Sequence, residues 1–338
     1  MVLVSVVMSS YNHGKYIAEA IESVLSQSHR DLELIIVDDY SKDSSTEIIE
    51  TYKSRDRRIR SIVHKENLGI YRTLNDGVQF AQGKFIAIIN SDDVWEKIKL
   101  ERQLGILEKN DDLVVWSEGE VIDQNSRLTG ENFTHKQGAS QQKKNGDIFE
   151  ELLYGNFIFS SSIIFKKILH CDIRFNEKLK YLGDYRFVID LAKKHKFYFI
   201  EEPLAKYRTH GKNTQFYNWK DWQRDEIAIC KYFIDECRQS IPKKAKSNIL
   251  FRMGRACYRI GQRERAHQLL LSAIQINFFS KNNILYLAVA LGAEDIRIGQ
   301  AFIDSFYLVD SFLARILGKP TPPLWWWRFP PHRLFRRR

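Results

Sequence analysis

"VSVVMSSYNHGKYIAEAIESVLSQSHRDLELIIVDD", residues 4–39, changes period twice. "VSVVMSS" (4–10) is continuous and rich in β-branched residues, which suits a strand covered on both faces. "KYIAEAIESVLSQS" (15–28) sets Ile17, Ala20, Ile21, Val24 and Leu25 at helical spacing, and "LELIIVDD" (32–39) returns to strand. A strand, a helix and a second strand in this order predict a parallel pair joined by a crossover helix.

The alternation continues outward. "SSTEIIETYKS" (44–54) predicts a helix with a serine cap, "RIRSIVHK" (58–65) a third strand, and "GIYRTLNDGVQFAQ" (69–82) a helix closed by Gly83. "KFIAIIN" (84–90) reads as a fourth strand, "WEKIKLERQLGILEKN" (95–110) as a helix, and "DLVVWSEGEVI" (112–122) as a fifth strand. Residues 124–147 are polar with three glycines and predict a long loop. "SSSIIFKK" (160–167) and "KFYFIEEPLAKYR" (196–208) supply further β structure. The fold class implied is α/β, a mainly parallel sheet with helices on both faces, followed by a helical C-terminal region from about residue 222. Within that region, Gly254, Gly261, Ala266, Leu270 and Ala273 match the spacing of one tetratricopeptide-like helix pair, with Phe278 where a proline usually closes the unit. One such pair cannot stand alone, so it should pack on the first domain. The organisation expected is 1–221 for the sheet-bearing first domain, 222–318 for the helical region and 319–338 for a tail.

The 338 residues are 44% hydrophobic and 13% aromatic, enough for a proper core and unlike a disordered chain. Of the net charge of +10, more than half sits in residues 319–338, which hold six Lys or Arg and no acid. The charge therefore says little about what the folded part binds. Cys171, Cys230, Cys237 and Cys257 match no metal or redox spacing and are read as reduced thiols, as in a cytoplasmic protein. No signal peptide is visible, and no run reaches the roughly 18 apolar residues of a membrane span; "ILYLAVALGA" (284–293) is too short. The tail holds five of the seven prolines and three of the seven tryptophans. Trp beside Arg suits a membrane–water interface, which favours a peripheral anchor on the inner face of the cell membrane. A solvated chain end and nucleic-acid contact are the alternatives, and no nucleic-acid partner is expected.

Four carboxylates, Asp38, Asp39, Asp92 and Asp93, follow predicted strand ends, where open sheets bind their ligands. "SSYNHG" is neither a dinucleotide fingerprint nor a P-loop, so phosphate must be held another way. Carboxylates suit a divalent cation, Mg²⁺ or Mn²⁺, which lets an acidic site accept a diphosphate. Helix capping near Trp95 would explain one Asp pair but uses only one residue of each.

The ordered motifs at 4–45, "NLGIYRTLNDGV" (67–78), "INSDDVW" (89–95) and "YLGDYRFVIDLAKKHKFYFIEEPLAKYRTHGKN" (181–213) resemble family 2 glycosyltransferases of the GT-A fold, over about residues 1–215. That resemblance implies an inverting transfer from a nucleotide sugar to a glycan or lipid-linked acceptor in cell-surface polysaccharide synthesis, with Mn²⁺ or Mg²⁺. It places Ser9, Tyr11, Asn12, Asp38, Asp39 and Arg72 at the nucleotide, with uracil the usual base. Asn90, Ser91 and Asp92 occupy the D-x-D position: Asp92 takes the metal, and Asn90 stands where an aspartate usually meets the ribose. Asp184 matches the catalytic base, with Gly183 where the family has glutamate, and His210 matches a histidine near the metal or diphosphate. Lys97 replaces a proline usual after the acidic motif. Read alone, Asp184 serves equally as a helix cap or a base, whereas His210 is more often a structural turn residue, and only the resemblance brings a metal or phosphate role level with that. Two other whole-protein readings are a non-catalytic scaffold built on the helical region and a nucleotidyltransferase, which "SSYNHGKY" fits poorly.

Overall fold

The computed structural model describes residues 3–139, 142–169, 173–211, 218–237 and 241–277. The 319–338 tail, residues 284–293, Phe278 and Cys171 lie outside them. Among the described residues, nine strands form one sheet. Strands β1 (Val4–Ser10), β2 (Leu32–Asp38), β3 (Ile59–Val63) and β4 (Phe85–Asn90) are parallel in the order β3-β2-β1-β4. The crossovers carry α1 (Ile17–Leu25), α2 (Ser45–Arg55) and α3 (Ile70–Phe80). Every residue of β1 and β2 is buried, as their unbroken apolar runs require of a sheet covered on both sides.

Alternation along the strands divides the core. Val7, Ile35, Val37, Ile86 and Ile88 face α3 through Tyr71, Leu74 and Val78. Val4, Val6, Met8, Leu34, Ile36 and Ile89 face α1 and α4 (Lys99–Leu107) through Ile17, Ile21, Leu100 and Leu104. The expectation of helices on both faces is met.

Beyond β4 the sheet turns mixed. Two-residue β5 (Val94–Trp95) pairs antiparallel with β9 (Phe197–Arg208); β6 (Val114–Ile122) lies parallel to β9; and β8 (Ile164–Lys166) runs antiparallel between β4 and β6. Trp95 was expected to open a helix, but that helix begins at Lys99. Trp95 is instead a strand residue whose indole N–H donates to the Ser161 carbonyl at 2.6 Å. No aspartate caps α4, whose N-cap is Ile98, so capping does not explain Asp92 and Asp93. The segment read as a loop at 124–147 contains β7 (Leu128–Asn132), paired with β6, and one helical turn, α5 (Phe133–Lys136). The expected serine cap of α2 is not made by Ser44; the Asp43 carboxylate accepts from the Ser45 N–H and Oγ and from the Gly14 N–H.

After α6 (Phe149–Leu152) and α7 (Gly183–Ala192), the helical region comprises α8 (Trp219–Glu236), α9 (Lys243–Arg259) and α10 (Arg263–Ile276). A Cβ on Gly254 would lie 2.7 Å from Leu270 Cγ, so α9 and α10 meet closely where the repeat-like spacing placed small residues. Ala245, Ile249 and Met253 of α9 join the same core as α7, so this pair packs on the sheet-bearing part. Arg252 of α9 completes the junction: it pairs with Glu226 of α8 at 2.7 Å and donates to the Leu153 carbonyl at 2.9 Å.

Candidate active site

The chain's parallel register brings three strand ends side by side. Ser9 pairs with Val37 and Asn90, and Ser10 with Asp38, so residues 9–12, 38–41 and 90–93 share one edge. Asp38 is fully buried and accepts from Ser10 Oγ (2.8 Å), Ser41 N–H (2.8 Å) and Ser41 Oγ (2.7 Å). It thereby shapes the loop rather than facing the crevice. Asn12, at φ 53°, accepts from the Lys42 N–H and donates its own N–H to Ser41 Oγ, which ties the β1 and β2 loops together. Ser9 is nearly buried at the strand end, while Tyr11 is 46% exposed at the rim.

Asp39 is held by the N–H groups of Leu68 and Gly69, each at 2.8 Å, and by His64 Nδ1 at 2.8 Å. His64 Nε2 lies 3.3 Å from Asp76, which in turn pairs with Arg72 at 2.9 Å. Arg72 is half exposed and also reaches Glu177 at 3.7 Å. A chain of polar contacts therefore runs from Asp39 to the predicted nucleotide-side arginine, through a histidine the sequence reading did not name.

The D-x-D position closes over β9. Asn90 Nδ2 donates to Asp93 at 3.1 Å; Asp93 also accepts from Ser161 Oγ at 2.5 Å and from the Arg208 N–H at 3.1 Å. Asp93 thus ties β4 to β9, and burial together with the charge of Asp92 pushes its pKa up to about 8. Arg208, fully buried, donates to the Asp92 carbonyl at 2.7 Å and pairs with Glu19 at 2.6 Å. This delivers His210 to Asp92: Nε2 lies 3.1 Å from Oδ2, and the ring stacks on Tyr16 with centroids 4.9 Å apart. His13 Nδ1 is 2.8 Å from Ser91 Oγ and 4.0 Å from Asp92 Oδ1. Burial opposes the charge on Asp92, but the His210 hydrogen bond and attraction to His13 and His210 bring its pKa below the usual value. One donor atom each from His13, Asp92 and His210 lies within 4.8 Å of the others. Two imidazoles and a carboxylate are a fitting donor set for a divalent metal ion. His13 escaped the sequence reading because one histidine in a polar loop carries no periodicity or spacing.

Asp184 lies in the first turn of α7, whose N-cap is Leu182. It is therefore not the cap. Asp225 of α8 holds the turn before it by accepting from the N–H groups of Lys180, Tyr181 and Leu182. Part of Asp184 reaches solvent while protein surrounds the carboxyl elsewhere, and that burial raises its pKa to about 6. The Tyr185 N–H and the Tyr71 hydroxyl, 3.5 Å away, oppose the rise. Gly183 has a packing reason: a Cβ there would meet Tyr71 Cε2, Cδ2 and Cγ at 2.5–2.7 Å. Tyr71 thus fills the space beside Asp184 where the resemblance would put a glutamate. Burial raises the Tyr207 hydroxyl, and so does the negative charge of Asp93, Asp92 and Asp184. Two hollows of about 440 and 550 Å³ are lined by none of these carboxylates. At Lys97, the carbonyl accepts from the Ser28 N–H, which fixes the loop without proline. Cys230, Cys237 and Cys257 are buried free thiols, and no described helix is long and apolar enough to cross a membrane.

Comparison with known proteins adds to this geometry. The model of the family described as Glycosyl transferase family 2 matches residues 5–172. A glycosyltransferase of Methanocaldococcus jannaschii, itself uncharacterised, is 38% identical over 210 residues, 61% of this chain and 70% of that protein. TuaG of Bacillus subtilis, named for teichuronic acid biosynthesis, is 45% identical over 102 residues, 30% of this chain and 40% of that protein. The matched part spans about two thirds of the length of such relatives. Among solved structures, S. aureus TarS 1–349 in complex with UDP-GlcNAc superposes with a TM-score of 0.60 at 19% identity, covering 81% of each chain. That likeness establishes the fold.

Proposed function

Since the chain belongs to glycosyltransferase family 2, we propose that it moves a sugar from a nucleotide-diphosphate sugar, UDP-linked, to an acceptor hydroxyl with inversion. One observation carries the reading: the strand end after β4, the loop after β1 and the residue pair after β9 bring Asp92 together with His13 and His210 as one donor set. Asp39, with Ser9 and Tyr11 near it, receives the nucleobase, and Tyr11 offers an exposed ring for stacking. Asn90 and Ser91 lie beside the ribose and diphosphate, with Arg72 at the nucleotide side. Asp92 and His210 would hold a divalent cation, which when bound supplies charge neutralisation for the departing diphosphate. Asp184 takes the proton of the acceptor hydroxyl as it attacks the anomeric carbon from the face opposite the leaving group. Its carboxyl, with a pKa of about 6, is mostly ionised at neutral pH and still basic enough to accept a proton. Single displacement inverts the anomeric centre.

A glycan or lipid-linked acceptor of cell-surface polysaccharide synthesis is supported by the likeness to TuaG. We place the protein in the cytoplasm at the inner membrane face, with residues 319–338 as its anchor, and keep the division into 1–221, 222–318 and 319–338. The test is a melting-temperature screen of nucleotide sugars with Mn²⁺, since a bound ligand raises stability by mass action. UDP-sugars should raise the transition of the wild-type chain and not of Asp92→Asn. A chain indifferent to every nucleotide sugar contradicts the proposal.

A further inference from the structure

We infer that His13 is a third ligand of the cation site and that the resulting two-imidazole, one-carboxylate set selects transition-metal ions over Mg²⁺. The inference rests on the metal role proposed for Asp92.

The donors are few and firmly placed. Asp93, the other carboxylate at this strand end, is engaged by Ser161, Asn90 and the Arg208 N–H. Asn90 contributes no charge. Glu19 is drawn away by Arg208 at 2.6 Å. Among the described residues, Asp92 is thus the one carboxylate in the cluster, and the remaining donors are nitrogen. The His13 backbone is fixed: its N–H donates to Ser45 Oγ at 3.1 Å, and the next N–H, of Gly14, donates to Asp43 at 2.8 Å. The two imidazoles meet edge to face, with centroids 5.7 Å apart and planes at 88°, while Tyr16 backs His210. Both rings are therefore held with nitrogen near the carboxylate before any ion arrives.

Such a set suits some ions better than others. Mg²⁺ prefers oxygen ligands and gives up water reluctantly, so a single carboxylate offers it little. Imidazole suits the first-row transition ions, whose affinity for a given site rises from Mn²⁺ to Co²⁺. Co²⁺ should bind tightest, Mn²⁺ next and Mg²⁺ weakest.

The test uses the full chain stripped of metal by chelation, titrated calorimetrically with each metal ion alone, with the visible absorption of bound Co²⁺ as a second reading. We expect Co²⁺ to bind at least about tenfold more tightly than Mg²⁺. His13→Ala should weaken Co²⁺ about tenfold or more and alter its absorption bands, while Mg²⁺ affinity changes little. His13→Gln, which keeps a polar side chain, should do the same and serves if the alanine variant melts early without metal. Equal affinity for Mg²⁺ and Co²⁺, or an unchanged Co²⁺ spectrum in the His13 variants, overturns the inference. Asp92→Asn separates the levels. If it abolishes binding while the His13 variants do not, only the role of His13 falls. If it leaves binding intact, the metal role of Asp92 falls as well.

Discussion

Replacing Gly183 by alanine probes the contact that shapes the surroundings of the proposed base. In a helix the change alone would gain up to about 1 kcal/mol from propensity. Here the new Cβ would sit 2.5, 2.6 and 2.7 Å from three ring atoms of Tyr71. The ring has little freedom to withdraw: it is 5% exposed, stacks near Phe175 with centroids 6.2 Å apart, and directs its hydroxyl at Asp184. Overpacking of a fixed core group costs about 1–3 kcal/mol, so the clash should prevail over propensity. A net loss of about 1–2 kcal/mol is expected, read as a lower denaturation midpoint with unchanged slope. The background Tyr71→Ala removes the ring, and there Gly183→Ala should cost nothing or stabilise. The two changes should therefore be strongly non-additive. Gly183→Ala at or above wild-type stability, or an equal cost in both backgrounds, would refute the packing argument.

Loss of the Tyr71 hydroxyl in Tyr71→Phe removes a bond that favours the charged form of Asp184, so the base should titrate higher than about 6. Turnover should fall about tenfold per pH unit below that pKa, and in the variant this acid limb should move to higher pH; an unmoved limb would uncouple the two groups. Glu226→Ala leaves Arg252 without its partner in a junction where both side chains are about 11–12% exposed. It should cost about 3–5 kcal/mol in chemical denaturation, and a cost below ~1 kcal/mol would mean that the helical region is not anchored there.

The parallel half of the sheet was legible because a strand covered on both faces must be apolar throughout, and its crossover helices must show a 3.6-residue period. The same logic placed Asp38, Asp39, Asp92 and Asp93 at strand ends. It could not divide their roles, because Asp38 and Asp93 are set apart from Asp39 and Asp92 by partners distant in sequence: Ser10, Ser161 and the Arg208 N–H. The antiparallel half was less legible. Trp95 reads as a helix residue until β9 is known to pass beside it, and β7 is fully exposed, with no apolar alternation to mark it. His13 and His64 acquire meaning only when β1, β2 and β4 align. Gly183 looks like a gap in the motif until Tyr71, more than 100 residues earlier, fills the space.

The most direct measurement is turnover by the full chain supplied with a metal ion and nucleotide sugars, following release of nucleoside diphosphate and the anomeric configuration of the product. The account predicts metal-dependent release of UDP, an inverted product, and a loss of about 10²–10⁴-fold in Asp184→Asn with donor binding retained. Retained configuration, or full activity in Asp184→Asn, would contradict it.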